Sequence, residues 1–309
     1  MIPNYAMIEP TTVCNLKCIS CFREDMIKDE KLSIGSFSEE TLDKIHEQLP
    51  NLEHIRFHGM GELFLLKNHV NILEKLRKLY PTAWIELVTN GQYPKTDAEK
   101  VSALVNRITF SMTGADKISY EQHHVNALWE LLITNIKQFV EFKSKISLEI
   151  NYVCMTSNSE NLSKALNFCA DLNIDTMRVN LYQDWSGKNC SSMKIIENEQ
   201  EVILNIKNAI KNGKKLGVSV MIMGNPEFKI SECQWMNERV LISYNGDVLP
   251  CCMRPDHKLS LGNILSENIH DIWNRNKIEI LRAKQKNETL SFCQNCPYKE
   301  NIKTLKGLT

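Results

Sequence analysis

Three cysteines, Cys14, Cys18 and Cys21, fall within eight residues, separated by three and then by two residues. Soft thiolates at that spacing can wrap one small metal centre, and four ligands are needed to close the shell of a [4Fe–4S] cube. The loop supplies three. One iron would stay open to an outside ligand, an arrangement suited to chemistry rather than to electron storage. Structural zinc is the plain alternative, but zinc sites usually gather Cys or His in C-x2-C pairs, and no fourth ligand lies within the loop. A disulfide framework fits less well still. Met1-Ile2-Pro3-Asn4-Tyr5 lacks the basic and then apolar pattern of a secretion signal, and no stretch approaches the roughly 18 apolar residues of a membrane-spanning helix. Eleven cysteines in such a chain point to metal ligation, so a cytoplasmic protein without a membrane partner is expected. Lys and Arg number 37 and Asp and Glu 37, and a zero balance offers no field to draw in nucleic acid.

A chain of 309 residues can bury one large α/β core and a small appendage. Tyr5 to Glu9 reads as a short strand ending at Pro10-Thr11-Thr12, directly before the cysteine loop. Ser38 can cap a helix whose Leu42, Ile45 and Leu49 share a face, and Glu39 and Glu40 complement the macrodipole in its first turn. A strand at 54–58 runs into Gly59-Met60-Gly61-Glu62, followed by helix 68–79, strand 84–89 and the turn Asn90-Gly91. Helices at 96–105, 122–142, 159–172 and 196–215 then alternate with strands at 107–112, 147–154 and 176–181. Such alternation argues for parallel βαβ units, and right-handed crossovers would curl six of them into an open (β/α)6 barrel. Sites in parallel barrels lie at the C-terminal ends of the strands. The cysteine loop, the 59–62 turn, the 89–91 turn and Ser111 should therefore share one mouth. The pattern changes near Gly217. Val218 to Met223 reads as a strand, Val240 to Leu249 as a hairpin turning at Asn245-Gly246, and Ile269 to Lys284 as a helix. We expect two domains, 1–216 and 217–309, with a loose tail from 301.

A second cysteine set lies beyond that boundary. Seventeen residues separate Cys233 from Cys251 and forty-one separate Cys251 from Cys293, after which Cys293-Gln294-Asn295-Cys296 forms a C-x2-C clasp. Four thiolates can enclose a cluster completely, with zinc as the alternative occupant. Cys252 is left over. Adjacent residues in extended chain point to opposite sides, so Cys251 and Cys252 cannot readily bind one cluster, and a packed thiol is the plain reading of Cys252. Cys169 shares a helical face with Leu162, Ala165 and Leu172 and reads as core, while Cys154 and Cys190 have no partner spacing.

The C-x3-C-x2-C loop after a first strand resembles the radical S-adenosylmethionine (radical SAM) superfamily, and the second set resembles the SPASM/twitch subgroup in its one-cluster form. The resemblance implies a partial (β/α)6 barrel with a small C-terminal cluster domain, two [4Fe–4S] clusters and S-adenosyl-L-methionine. It implies that Cys14, Cys18 and Cys21 hold the first cluster and Cys233, Cys251, Cys293 and Cys296 the second. Reductive cleavage of the sulfonium then yields a 5′-deoxyadenosyl radical that takes hydrogen from an unactivated C–H bond. By the same resemblance Gly59, Met60, Gly61 and Glu62 form the turn that meets the methionine amino group, with Leu63 where a proline is usual. Ser111 matches the polar residue meeting the ribose or carboxylate, and Asn151 or Asn158 could also reach it. Ser20 stands where an aromatic residue often approaches adenine, leaving Phe22 as the candidate.

The cysteine spacing is similar to enzymes of the 2-deoxy-scyllo-inosamine dehydrogenase and neomycin epimerase type. The implied function is epimerisation or oxidation of a carbinol carbon in a carbohydrate or aminocyclitol, with Cys252 as hydrogen donor in the epimerase case. A sugar-like substrate and an external electron donor such as flavodoxin or ferredoxin are the implied partners. His58, Tyr152, Arg178, Asp184 and Arg254 are candidates to face the substrate. A peptide maturase is the alternative enzyme, disfavoured because only 13 residues precede Cys14 where a leader-binding domain is common. A zinc-binding scaffold is the alternative without catalysis.

Overall fold

Alternation of apolar and polar residues along the strands decides which side of each meets the helices. The computed structural model of the chain describes residues 2–182, 199–223, 233–252, 255–287, 289 and 293. The parallel strands begin with β1 (Tyr5–Ile8), β2 (His54–Phe57), β3 (Trp84–Thr89) and β4 (Arg107–Met112) and continue with β5 (Ser147–Cys154), β6 (Thr176–Leu181) and β7 (Ser219–Met223). Ile55, Phe57, Ile85, Leu87, Ile108, Phe110, Leu148, Ile150, Met177 and Val179 all join one buried cluster. Leu42 and Ile45 of α2 (Glu39–Gln48), Leu73 and Leu76 of α3 (His69–Leu79) and Ile136 and Phe139 of α6 (Trp129–Val140) complete it. Full burial of each such side chain contributes about 1.5–3 kcal/mol. The intervening strand residues, most of them polar or charged, are left for the opposite face.

Ten strands form one sheet in the order β10-β9-β8-β1-β2-β3-β4-β5-β6-β7. Strands β1 to β7 run parallel in sequence order, so right-handed crossovers carry the connecting helices to one face and leave the other as the inside of a partial barrel. The crossover into β7 is α8 (Glu199–Leu216), which packs on α7 (Leu162–Asp171). The division read at 217 falls between α8 and β7, which pack against each other. β8 (Arg239–Ile242) pairs parallel to β1 on its other side, with Tyr5 opposite Arg239 and Ile8 opposite Ile242. β9 (Asp247–Leu249) and β10 (Gly262–Asn263) then add antiparallel, and Gly246 turns the hairpin at φ 86°.

Two helices expected to be continuous are broken. In place of 122–142 the chain forms α5 (Lys117–His123), a link and then α6. The link contains Asn126 at φ 74°, and the carbonyls of His123 and Val125 accept from Ile19 and Lys17 of the cysteine loop. Helix-forming groups are thus diverted to hold that loop. The helix read over 269–284 divides into α9 (Ile269–Trp273) and α10 (Asn276–Lys286) at Arg275, whose extended backbone lets its guanidinium reach the Leu261 carbonyl. Ser38 caps α2 as its position predicts, accepting from the Thr41 N–H. Among the described residues no helix is long and apolar enough to cross a membrane.

Candidate active site

The cysteine loop leaves the C-terminal end of β1 and is tied down from three sides. Thr12, fully buried, donates to the Ser33 carbonyl at 2.8 Å and accepts from the Gly35 N–H at 2.9 Å. Arg23, also buried, donates from Nε to the Thr12 carbonyl at 2.7 Å. Across the mouth, Gly61 N–H donates to the Thr11 carbonyl and Glu62 N–H to the Val13 carbonyl, at 3.1 and 2.8 Å. A Cβ at residue 61 would lie 2.5 Å from both of those carbonyl oxygens. The glycine is therefore required by the approach of two backbones, where the sequence predicts contact with the cofactor. At Gly59 the added atom would overlap the Glu9 side chain at 2.2 Å.

Cys14 and Cys18 are half-buried and Cys21 is exposed. Desolvation pushes the Cys14 thiol up, and it pushes Cys18 to about 12 with Cys21 and Cys14 adding their charge. Bare thiols here keep their protons, and only a strong positive centre would convert the set to thiolates. Donors already approach two of the sulfurs. Asn90 Nδ2 lies 3.7 Å from Cys14 Sγ, and His124 Nδ1 lies 3.3 Å from Cys18 Sγ. The donor set fits a soft metal cluster of the kind expected, although among the described residues no three Cys, His, Asp or Glu groups stand at ligation distance.

The sequence predicts Glu62 as a charged neighbour of the cofactor, and the structure gives its carboxylate other work. Oε1 accepts from Thr89 Oγ1 at 2.9 Å and from the Phe64 N–H at 3.1 Å, while Oε2 accepts from the Asn90 N–H at 2.7 Å. Burial pushes this carboxyl up to about 7 against those hydrogen bonds. Glu62 thereby locks the 59–62 turn to the end of β3. Phe22 stands at the start of α1 (Arg23–Lys28), directly after Cys21.

On the inner face the side chains form rows set by register. Met7, Arg56, Glu86 and Arg107 share one row. Glu86 lies 2.6 Å from Arg56 Nε and 3.3 Å from Arg107 Nη1, and Glu149 lies 3.2 Å from Arg107 Nε and 2.8 Å from Arg178 Nη2. Burial pushes Glu86 up, but His54, Arg56 and Arg107 overcome it and hold the carboxyl at about 2. Three arginines thus alternate with two glutamates across five strands. Nearer the mouth Ser111, Asn151 and Arg178 form a row, and Asn180 Nδ2 donates to the side-chain Oδ1 of Asn151.

Two expected residues belong elsewhere. Tyr152 points into the helix-covered core and donates to the Asn158 carbonyl. Asn158, fully buried, accepts from the Met155 N–H and donates to the carbonyls of Thr113 and Val153, which leaves its amide no donor for a ribose. Residues 155–161 close a short turn, and the capping geometry there uses the polar atoms that the spacing alone offers to a ligand. Arg178 is on the inner face, but Glu149 holds one arm and Nη1 donates to the Met223 sulfur at 3.1 Å.

His58 does lie on the inner face. Its Nε2 is buried with no hydrogen-bond partner among the described residues, and burial followed by the Arg56 charge holds the ring at about 3, hence neutral. Beside it Glu9, 2 % exposed, accepts from the Met60 N–H at 2.8 Å, and burial pushes its carboxyl to about 7. Glu9 is the residue that sequence reasoning misses. The signal is an acidic side chain on the same pleat as Tyr5 and Met7, in a strand otherwise apolar.

At the other end of β1 a small apolar group of Met7, Trp235, Leu241 and Leu249 forms a floor, and Cys233 and Cys252 pack on it. Cys252 is close enough to Tyr5 and Arg56 for its charge to weigh on both. Cys293 packs against the main core instead. Cys190, Asp184, Arg254 and Cys296 lie outside the described residues.

Comparison with known proteins agrees with this geometry. The profile of the radical SAM superfamily matches residues 8–169, and that of the SPASM iron–sulfur cluster-binding domain matches 233–297. A probable GTP 3′,8-cyclase of Methanocaldococcus jannaschii is 28 % identical over 269 residues, covering 81 % of this chain and 85 % of the relative. A tungsten-containing aldehyde ferredoxin oxidoreductase cofactor-modifying protein of Pyrococcus furiosus is 22 % identical over 96 % of this chain and 88 % of its own. Among solved structures, anSMEcpe with bound AdoMet superposes with a TM-score of 0.75 at 17 % identity, covering 99 % of this chain and 96 % of that one. SuiB of Streptococcus suis bound to its precursor peptide gives 0.72 at 17 % identity, over 97 % and 70 %. BtrN in complex with AdoMet and 2-DOIA gives 0.56 at 16 % identity, over 97 % and 92 %. At these identities the three structures are likenesses of fold.

Proposed function

The chain belongs to the radical SAM superfamily, and from that premise we propose that it inverts a carbinol C–H centre in a carbohydrate or aminocyclitol, with Cys252 as the hydrogen donor. The observation that carries this reading is the position of Cys252. It packs on the floor beside Tyr5 and Arg56, at the end of β1 opposite the cysteine loop. A substrate lying between the two would meet hydrogen-abstracting chemistry on one face and a weak S–H bond on the other.

S-adenosylmethionine and a [4Fe–4S] cluster, when bound, supply a 5′-deoxyadenosyl radical that takes a hydrogen atom from carbon. The work left to the chain is to hold and aim. Cys14, Cys18 and Cys21 would hold the cluster through three thiolates, and the backbone of the 59–61 turn would face the methionine group. Ser111 and Asn151, paired in register, offer a hydroxyl and an amide to the rest of the cofactor. His58, whose buried Nε2 has no partner among the described residues, offers a contact to a substrate hydroxyl. Cys252 Sγ then returns a hydrogen atom to the floor side of the carbon. The thiol is restored by one electron and one proton, the electron coming from an external donor of the flavodoxin or ferredoxin class.

Oxidation to a ketone would use the same pocket without needing the thiol. A peptide substrate draws support from the fold likeness to SuiB and anSMEcpe, whereas the charged rows of the inner face favour a small polar molecule. Incubation of the reconstituted enzyme with reductant, S-adenosylmethionine and candidate sugars in deuterium oxide separates these outcomes. Solvent deuterium at an inverted centre supports epimerisation, and a ketone supports oxidation. Full turnover to the inverted product by Cys252→Ala would overturn the donor assignment.

A further inference from the structure

Beyond its contact with Cys18, His124 is held on every side. Its Nε2 lies 2.9 Å from Thr113 Oγ1, its ring is 4 % exposed, and it stacks on Tyr120 with centroids 4.5 Å apart and planes at 24°. The flanking carbonyls of His123 and Val125 accept from the Ile19 and Lys17 N–H groups, so one short segment grips the cysteine loop by its backbone and touches its central sulfur.

A thiolate bound to iron carries no proton and can only accept a hydrogen bond. Nδ1 of His124 must then carry the ring proton, Nε2 must accept, and the Thr113 hydroxyl must donate to it. The relay has one direction: Thr113 to His124 to Cys18. We propose that His124, by donating from Nδ1 to Cys18 Sγ, sets the reduction potential of the centre held by Cys14, Cys18 and Cys21. The inference rests on the reading that this trio holds an iron–sulfur cluster. An N–H aimed at a ligand sulfur withdraws electron density and favours the reduced state, so the contact raises the midpoint potential. His124 acts through Cys18 and is a positioning residue, with Thr113 fixing its tautomer.

The test is an EPR-monitored redox titration of the anaerobically reconstituted full-length chain. The N-terminal cluster is identified by the change in its signal when S-adenosylmethionine is added. His124→Phe keeps the stack on Tyr120 but removes the donor, and its midpoint should move to a more negative value at unchanged iron and sulfide content. Thr113→Val, which frees the tautomer, should give a smaller shift in the same direction. His124→Gln, which restores an N–H, should recover part of the loss. An unchanged midpoint in His124→Phe with the cluster intact overturns the proposal. If His124→Phe loses its iron, Thr113→Val decides: a negative shift upholds the proposal and an unchanged midpoint overturns it. Wild-type protein that binds no iron and sulfide would fail the underlying reading and this inference with it.

Discussion

The two ends of the barrel interior are built by different physics. At the mouth, the cysteine loop, the 59–62 turn and the 123–125 segment are joined by backbone hydrogen bonds and by buried side chains such as Thr12, Arg23 and Glu62. At the floor, the side chains of Met7, Trp235, Leu241 and Leu249 meet through apolar contact, with Tyr5 set between the Arg239 guanidinium and Trp235. Hydrogen bonds are directional and tolerate little displacement, whereas apolar packing accepts a change of shape if volume is kept. The mouth is therefore the part that must stay as it is, and the floor is the part that can be recut to a different substrate.

Substitutions should separate the two ends, and the largest effect belongs to the thiols. Ala at any one of Cys14, Cys18 or Cys21 should abolish 5′-deoxyadenosine formation. The same change at the buried Cys154 or Cys169 should leave it intact and cost stability alone, as product chromatography and thermal melting would show. Next comes Glu86→Gln, which removes the one carboxylate shared by Arg56, Arg107 and His54 and should destabilise by about 3–5 kcal/mol in urea titration. A small cost there would show that the charged row of the inner face is soft. Gly61→Ala, with its Cβ against two carbonyls, should cost about 1–3 kcal/mol and loosen iron retention. The smallest change is expected on the floor, where Met7→Leu should cost less than about 1.5 kcal/mol.

The ends also differ in the sign of their pH dependence. Glu86 is held below its ordinary value of 4.5, at about 2, so its contribution is complete above pH 4.5 and is lost as the pH falls toward 2. Glu9 and Glu62 are raised from 4.5 to about 7, so the folded state binds their protons more tightly. Their contribution is complete below pH 4.5 and is lost as the pH rises through 7. Each shift amounts to about 3 kcal/mol. Glu9→Gln should flatten the decline in stability between pH 4.5 and 7, and Glu86→Gln the decline below 4.5. If urea titrations across pH 3 to 8 show neither change, the buried carboxyls do not carry these loads.

The barrel was legible because its strands alternate and its helices are periodic, and both patterns are local. Strands 84–89, 107–112, 147–154 and 176–181 stand where the pattern puts them. The broken helix at 124–128 was not legible, since its cause is a contact with residues about a hundred positions away in sequence. Spacing also named the cysteine trio, and the resemblance to the superfamily named the 59–62 turn. Neither could tell that Gly61 answers to a neighbouring backbone or that Glu62 and Asn158 bond to Thr89, Asn90 and Thr113, all distant in sequence. His124 escaped notice for the same reason: a histidine at a helix end has no pattern, and only the fold brings it to Cys18.

The in-register pairing of β8 with β1 has a consequence for electron flow. Any redox centres gathered by the early and late cysteines would be spaced by a rigid ruler, because Cys14 and Cys233 flank two strands that cannot slide by one residue without turning Ala6, Ile8, Val240 and Ile242 out of the core. A slip of two residues would keep the faces right and change the spacing by about 6.6 Å. Lengthening or shortening the link between Cys233 and Arg239 would therefore alter how fast charge crosses the interior while leaving both cysteine sets chemically unchanged.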